Sequence, residues 1–118
     1  MSRHPIEGQI VLLAGAQASV TLERLSELLP EVQTHLEAHR EEYERNYERI
    51  KSDDNVYHLV DPDHWEQIGA VLGLEKREIE AVRRTHEAQF TRDGRRLDRT
   101  EEFETALSIR TPVVMKPE

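Results

Sequence analysis

The sequence contains no cysteine, and it has only five glycines, five prolines and three lysines. The absence of cysteine excludes disulfide bonds and thiolate metal sites. The scarcity of glycine and proline leaves few turn signals along the chain. Long hydrophobic runs are also missing. The apolar run at residues 10–14 is too short for a signal sequence followed by a membrane span, so we expect a soluble, cytoplasmic protein with no membrane partner.

Acidic charge is abundant instead. The chain carries 24 acidic and 16 basic residues, a net charge of −8, and 36% of its residues are apolar. This composition suits one domain over residues 1–118 with a modest core. Strong acidity with scarce lysine is typical of halophilic adaptation, although a GC-rich genome would also favour arginine. In ordinary salt the same charge would argue against DNA binding, whereas a salt-adapted DNA-binding protein can be acidic.

The spacing of apolar residues predicts a mainly helical domain. One helix is expected over residues 6–16, and a second is expected to begin after a cap at Thr21. Pro30 is expected to start or kink the helical segment that continues to about Lys51. Residues 1–52 would then form a helical hairpin or a dimer arm.

The second half, residues 56–118, combines helices with short strands. The segment VYHLV, residues 56–60, is β-branched and aromatic and predicts a strand, and TPVVM, residues 111–115, could pair beside it. Helices are expected from His64 to about residue 90 and again over residues 99–110. We therefore expect a helix-turn-helix or winged-helix-like half with at most a two- or three-stranded sheet.

A heptad-like stripe follows the first long helical segment. Spacings of three and four alternate from Leu25 to Ile50 through His39 and Asn46, and the stripe consists of the six apolar or aromatic side chains at these positions: Leu25, Leu29, Val32, Leu36, Tyr43 and Ile50. Such a stripe needs a cover because the rest of the segment is very polar. Two covers fit the pattern. The apolar run at residues 10–14 could pack on it within one chain, or a second copy could pack on it to form a homodimer.

The segment from Trp65 to Arg84 resembles a helix-turn-helix motif. Gly69 stands where two angled helices touch, and Gly73 stands where the turn needs a left-handed backbone. The resemblance implies that the second helix is a recognition helix for the major groove of DNA. The same string also resembles the middle of death-fold domains, which are helical bundles that bind other proteins.

Basic charge is concentrated on and after the second of these helices. Seven side chains are predicted to contact DNA: Lys76, Arg77, Arg83, Arg84, Arg92, Arg95 and Arg96. The pair Asp93-Gly94 could close a hairpin over residues 90–97 that would resemble the wing of a winged-helix domain, or Gly94 could end the helix. Against DNA binding, Glu78 and Glu80 are expected on the open side of the helix, where they would repel phosphate.

Catalytic motifs are not found in the sequence. It has no phosphate-cradling glycine loop, no dinucleotide fingerprint and no Ser–His–acid order, so we expect neither an enzyme nor a cofactor. His35 and His39 are spaced i,i+4 and could face one metal ion, completed by Glu42 or His58, but histidines beside glutamates are also common in polar helices. We assign no metal site.

These patterns lead to two hypotheses. The first is a small, non-catalytic transcriptional regulator that binds duplex DNA as a dimer, because two half-sites add the specificity that one weak reading helix lacks. The alternative is a helical protein–protein interaction or structural module with no role in nucleic-acid binding.

Overall fold

A computed structural model describes residues 5–17 and 19–117. The described residues form six helices and three strands. In chain order these are α1 Gly8–Gln17, α2 Leu22–Ala38, α3 Arg40–Asn46, β1 Glu48–Lys51, β2 Val56–Val60, α4 His64–Leu72, α5 Lys76–Arg96, α6 Thr100–Leu107 and β3 Thr111–Met115. The prediction of a mainly helical fold with a small sheet is confirmed. None of the described helices is long and apolar enough to cross a bilayer.

The three strands form one antiparallel sheet in the order β1-β2-β3. Tyr57 in the central strand lies opposite Ile50 on one side and Val114 on the other. Both predictions for this region, the strand at residues 56–60 and its pairing with residues 111–115, are confirmed. All residues of β2 and β3 are buried, as expected for apolar strands that are covered by helices on the sheet faces.

The prediction that the second helix continues to about Lys51 is wrong. Thr21 caps α2 as expected, because its side-chain oxygen accepts a hydrogen bond from the backbone nitrogen of Arg24 at 3.0 Å. The helix ends at Ala38, however, and after α3 the chain becomes strand β1. Strand β2 supplies the hydrogen-bonding partner for β1, and Ile50 is buried in that arrangement. Pairing in the β1–β2 hairpin therefore overrode the local preference for helix.

The heptad-like stripe faces the chain's own core. Each of its six side chains is at most 8% exposed: Leu25, Leu29, Val32, Leu36, Tyr43 and Ile50. Helices α1 and α5 and strand β3 pack against α2 and provide the cover. These side chains are therefore not free to form a seam with a second copy, and their assignment as a dimer seam is corrected. The core joins both halves of the chain into one cluster.

The bend between α4 and α5 follows the two predicted glycines. Gly73 adopts a left-handed conformation with φ of 69°, and the backbone nitrogen of Leu74 donates to the carbonyl oxygen of Gly69 at 2.8 Å. A Cβ atom on Gly69 would lie 3.2 Å from Cβ of Ile79, so any larger residue would push the two helices apart by a few tenths of an ångström. Trp65 is buried beside the ring of His86, as expected for a core anchor.

Residues 90–97 do not form a wing, and Gly94 does not end the helix. They continue α5 up to Arg96, and the chain turns at Asp98, whose φ is 56°. Gly94 lies inside the helix at the point where α6 packs against it. A Cβ atom at this position would lie 2.7 Å from the ring of Phe103. Glycine at this position therefore serves a close helix–helix contact, whereas the sequence pattern suggested a turn.

Candidate functional site

The predicted recognition helix is the central helix of the domain. Helices α1, α2, α4 and α6 and strand β3 all pack against α5. Its buried residues extend along the whole length and include Ile79, Val82, His86 and Phe90. Only narrow strips of the α5 surface are exposed to solvent, so a ligand could contact this helix only through the side chains on those strips.

One open strip lies on the N-terminal half of α5. There Lys76, Arg77 and Arg84 line a groove of about 360 Å³ together with Ser19 and Glu80. We call these five residues the basic groove. All three basic side chains are exposed, and the two arginines have weak partners: Arg77 lies 3.4 Å from Glu75, and Arg84 donates to the carbonyl oxygen of Gln17 at 3.3 Å. The structure thus brings together three of the seven predicted DNA-binding residues.

The other four basic residues lie outside this groove, and three of them are held by carboxylates of the same chain. Arg83 forms ion pairs with Glu80 at 3.4 Å and with Glu87 at 3.2 Å. Arg92 and Arg96 both contact Glu7, Arg96 at 2.6 Å and 2.8 Å through two nitrogens. Arg95 is exposed near the end of the helix. The predicted basic surface is therefore divided by intramolecular ion pairs.

Glu78 was expected to lie open beside the basic residues, and that expectation is wrong. Its side chain is largely buried, accepts a hydrogen bond from the backbone nitrogen of Glu75 at 2.9 Å and pairs with Arg24 at 2.7 Å. The backbone hydrogen bond and the Arg24 guanidinium lower the pKa of Glu78. Glu78 thus caps α5 and ties it to α2, which removes one source of phosphate repulsion.

The outer face of α1 is apolar and exposed. Ile10 and Ala14 point into the core, whereas Leu12 is 58% exposed and Leu13 is 63% exposed. No charged residue occurs between positions 8 and 22 of the sequence, although 34% of the chain is charged. We call Leu12, Leu13 and the adjoining Leu22, which is 41% exposed, the α1 face. Neighbouring exposed leucines of this kind are typical of interaction surfaces.

A second concave site lies between the α2–α3 segment and α4. This cavity of about 210 Å³ is lined mainly by aromatic and imidazole rings, and we call it the histidine cleft. Its lining residues are His35, His39, Glu42, Tyr43, Asn46, Tyr47, His64, Gln67, Ile68 and Val71.

The rings of the cleft form two contacting groups. Tyr43, Tyr47 and His64 lie with ring centroids 5.4 to 5.8 Å apart, and His35 and His39 lie 4.4 Å apart. Tyr43 shares a hydrogen bond of 2.6 Å between its hydroxyl and Nε2 of His64, and Nδ1 of His39 donates to the carbonyl oxygen of His35 at 2.8 Å. These bonds hold the rings in fixed positions around the cavity.

Burial acts on the titratable rings of the cleft. Desolvation is the largest cause that lowers the pKa of His35, and the nearby His39 lowers it further. Desolvation also lowers the pKa of His64, with His35 as the next cause. Burial raises the pKa of the Tyr43 hydroxyl. Glu42 is the one carboxyl side chain among the described lining residues of the cleft.

The pairing of His35 and His39 does not extend to a metal site. His58, which the sequence offered as a third ligand, is fully buried on β2, and its ring stacks near Tyr43 at 5.9 Å. Within residues 5–17 and 19–117, no three His, Asp or Glu side chains are arranged to hold a metal ion. The i,i+4 spacing of His35 and His39 therefore packs their two rings against each other.

Sequence reasoning missed most of the cleft. A signal for it was present, since His35, His39, Tyr43 and Tyr47 follow one another at i,i+4 spacing and so share one side of a helical segment. His64 could not be added from this spacing, because it enters from α4 after the chain has passed through the β1–β2 hairpin.

The comparisons with known proteins place the chain in a family without naming an activity. A search of curated proteins and a search of solved structures each gave no match. A family match extends over residues 4–117, nearly the whole chain. The chain therefore belongs to the family described as Domain of unknown function (DUF8048).

Proposed function

We propose that this domain is a non-catalytic protein-interaction module whose interface is the α1 face, covered in solution by a second copy of the chain. The observation that carries the proposal is the character of α1. A helix that is hydrophobic around its whole circumference is normally buried, yet here Leu12 and Leu13 are open to solvent. Burying such side chains is favourable by about 25 cal/mol for each Å² of apolar surface.

Charge favours a second copy as the occupant. Two copies that each carry a net charge of −8 repel one another over most of their surfaces. The uncharged stretch from residue 8 to residue 22 is the surface on which this repulsion is weakest. A two-fold arrangement would place α1 against α1, so that each copy covers the leucines of the other.

The interface predicts a concentration-dependent dimer. We expect sedimentation equilibrium to give a dimer with a dissociation constant of about 10 μM or lower. The double variant Leu12→Glu, Leu13→Glu should be monomeric at about 100 μM, because four carboxylates would be brought into a desolvated interface. Both side chains point away from the core, so the circular dichroism spectrum should be unchanged.

Val71→Glu is the matched control, because Val71 is 70% exposed on α4 and lines the histidine cleft, to which no residue of α1 contributes. This variant should remain dimeric. A wild-type chain that stays monomeric at about 100 μM, or a Leu12→Glu, Leu13→Glu variant that dimerises as strongly as wild type, would refute the interface.

DNA binding is a second candidate, and the basic groove is the observation that favours it. Three exposed basic side chains lie together on the N-terminal half of α5, and the helix dipole also favours an anion beside Lys76 and Arg77 in its first turn. Such a groove could neutralise about three phosphates, which is few for a specific complex.

The groove predicts a shallow salt dependence. If it binds duplex DNA, the affinity should fall about 40-fold between 50 and 200 mM KCl, as expected for about three released counterions. Arg77→Glu with Arg84→Glu should abolish this binding. Arg45→Glu, which changes an exposed arginine on α3, should leave it unchanged. Equal binding by both variants, or no retardation of duplex DNA at 50 mM KCl, would exclude the groove as a DNA site.

A further inference from the structure

We propose that the histidine cleft binds a small organic cation, namely an alkylated ammonium group of the trimethylammonium class. This site is separate from the α1 face and does not depend on dimer formation. The shape of the cleft, its rings and its single carboxylate each point to this class of ligand.

The rings supply the attractive surface. Tyr43, Tyr47 and His64 line the cavity and pack against one another at angles between 37° and 84°. Aromatic faces attract a cation through their quadrupole, and the effect is strongest for cations that are weakly hydrated and enclosed by several rings. A cavity of about 210 Å³ holds one such group and excludes large ligands.

The charges of the cleft select a cation over an anion. Glu42 lines the cavity, and no lysine or arginine lies among its described lining residues. Burial lowers the pKa of His35 and of His64, which disfavours the positively charged form of both rings. An anion would therefore meet a carboxylate without a compensating positive charge, whereas a cation would gain an opposite charge at the mouth of the cleft.

An alkylated ammonium also fits better than an inorganic cation. A metal ion needs several ligands at fixed distances, and the described residues do not supply three suitable side chains. A trimethylammonium group needs no directed lone pairs, because it is held by ring faces and apolar contacts. Ile68 and Val71 supply the apolar wall beside the rings.

The test compares two probes of the same shape. Choline carries a trimethylammonium group, and 3,3-dimethyl-1-butanol replaces the nitrogen with carbon and is neutral. In ¹H–¹⁵N spectra of the full chain at pH 7.5, we expect choline to shift the amide signals of residues 35–47 and 64–71 saturably, with a dissociation constant of about 1 mM. The neutral probe should bind at least about tenfold more weakly.

Variants separate the cleft from non-specific binding. Glu42→Gln and Tyr47→Leu should each weaken choline binding about fivefold or more, because one removes the opposite charge and the other removes a ring. Glu41→Gln is the matched control, since Glu41 is exposed on the same helix but does not line the cavity.

Three results would overturn the proposal. The first is no saturable shift with choline at about 50 mM. The second is equal binding of the neutral probe. The third is equal weakening of choline binding by Glu41→Gln and Glu42→Gln.

Discussion

Replacing Asp93 with alanine is expected to lower the free energy of unfolding by about 3 kcal/mol or more, a large share of the stability of a domain of this size. The carboxylate of Asp93 is 5% exposed and lies where α5 meets the β1–β2 hairpin. It accepts a short hydrogen bond from the hydroxyl of Tyr57 and one of 3.0 Å from Nδ2 of Asn55. Truncation removes this acceptor and leaves both donors in the protein interior, where the Tyr57 hydroxyl keeps only a bond of 3.3 Å to the carbonyl oxygen of Gln89.

The loss extends beyond these two bonds because the network continues. Gln89 donates to the other oxygen of Asp93 at 3.3 Å and also contacts Glu7 at 2.8 Å, and Glu7 in turn pairs with Arg96. The network therefore connects the sheet, α5 and the segment before α1. A buried donor that loses its acceptor costs its full desolvation penalty, so a partly satisfied network is less stable than either a complete one or an apolar one.

Urea unfolding at pH 7.5, followed by circular dichroism, measures this effect directly. Asp53→Ala is the matched control, because Asp53 is exposed in the turn of the same hairpin, and its loss should change the unfolding free energy by less than about 0.5 kcal/mol. If Asp93→Ala unfolds at the same urea concentration as Asp53→Ala, the network does not stabilise the fold.

Acidification from pH 7.5 to pH 5 is expected to cost about 2 kcal/mol of stability through His58 alone, and about 3 kcal/mol by pH 4. His58 is fully buried, and neither of its ring nitrogens has a hydrogen-bond partner among the described residues. Burial lowers the pKa of His58 to about 4, and the positive charges of Arg49 and Arg40 act in the same direction.

The sign follows from proton linkage. In the unfolded chain His58 takes up a proton near its ordinary pKa of about 6.5, whereas in the folded chain it stays neutral until about pH 4. The unfolded state therefore binds more protons in this window, and stability is lost as the pH falls from about 6.5 to about 4. His35 and His64 have lowered pKa values and contribute in the same direction.

The variant His58→Phe isolates the contribution of this histidine. Phenylalanine fills a similar space and cannot be protonated, so the variant should lose about 2 kcal/mol less than wild type between pH 7.5 and pH 5. The comparison stops at pH 5 because Glu7 and Glu78 have lowered pKa values and lose their own stabilising contributions below about pH 4.5. Identical losses in wild type and His58→Phe would show that buried His58 is not the source of the acid sensitivity.

Several local features were predictable from the sequence because a few adjacent residues determine them. Thr21 caps a helix by accepting a hydrogen bond from the backbone nitrogen three residues further along the chain. Gly73 adopts a left-handed φ because it has no Cβ atom. The strand VYHLV was recognisable from its composition, and its pairing with TPVVM followed from the small number of apolar partners.

The candidate sites were less predictable because they depend on neighbours that are distant in the chain. Three of the seven basic residues share a groove as expected, but Arg92 and Arg96 are drawn to Glu7, which lies more than 80 positions away. The histidine cleft forms only because His64 of α4 packs beside the i,i+4 series that includes His35 and Tyr43. Neither arrangement follows from spacing within one segment.

By itself, the sequence determined which faces had to be covered, where the chain had to bend and which strands could form. It could not determine what provides the cover. Hydrophobic periodicity shows only that a stripe is unstable in water, since burial is non-directional and any apolar partner satisfies it. Only the tertiary structure decided that α5 lies at the centre, that the stripe of α2 packs within the same chain, and that α1 leaves Leu12 and Leu13 exposed.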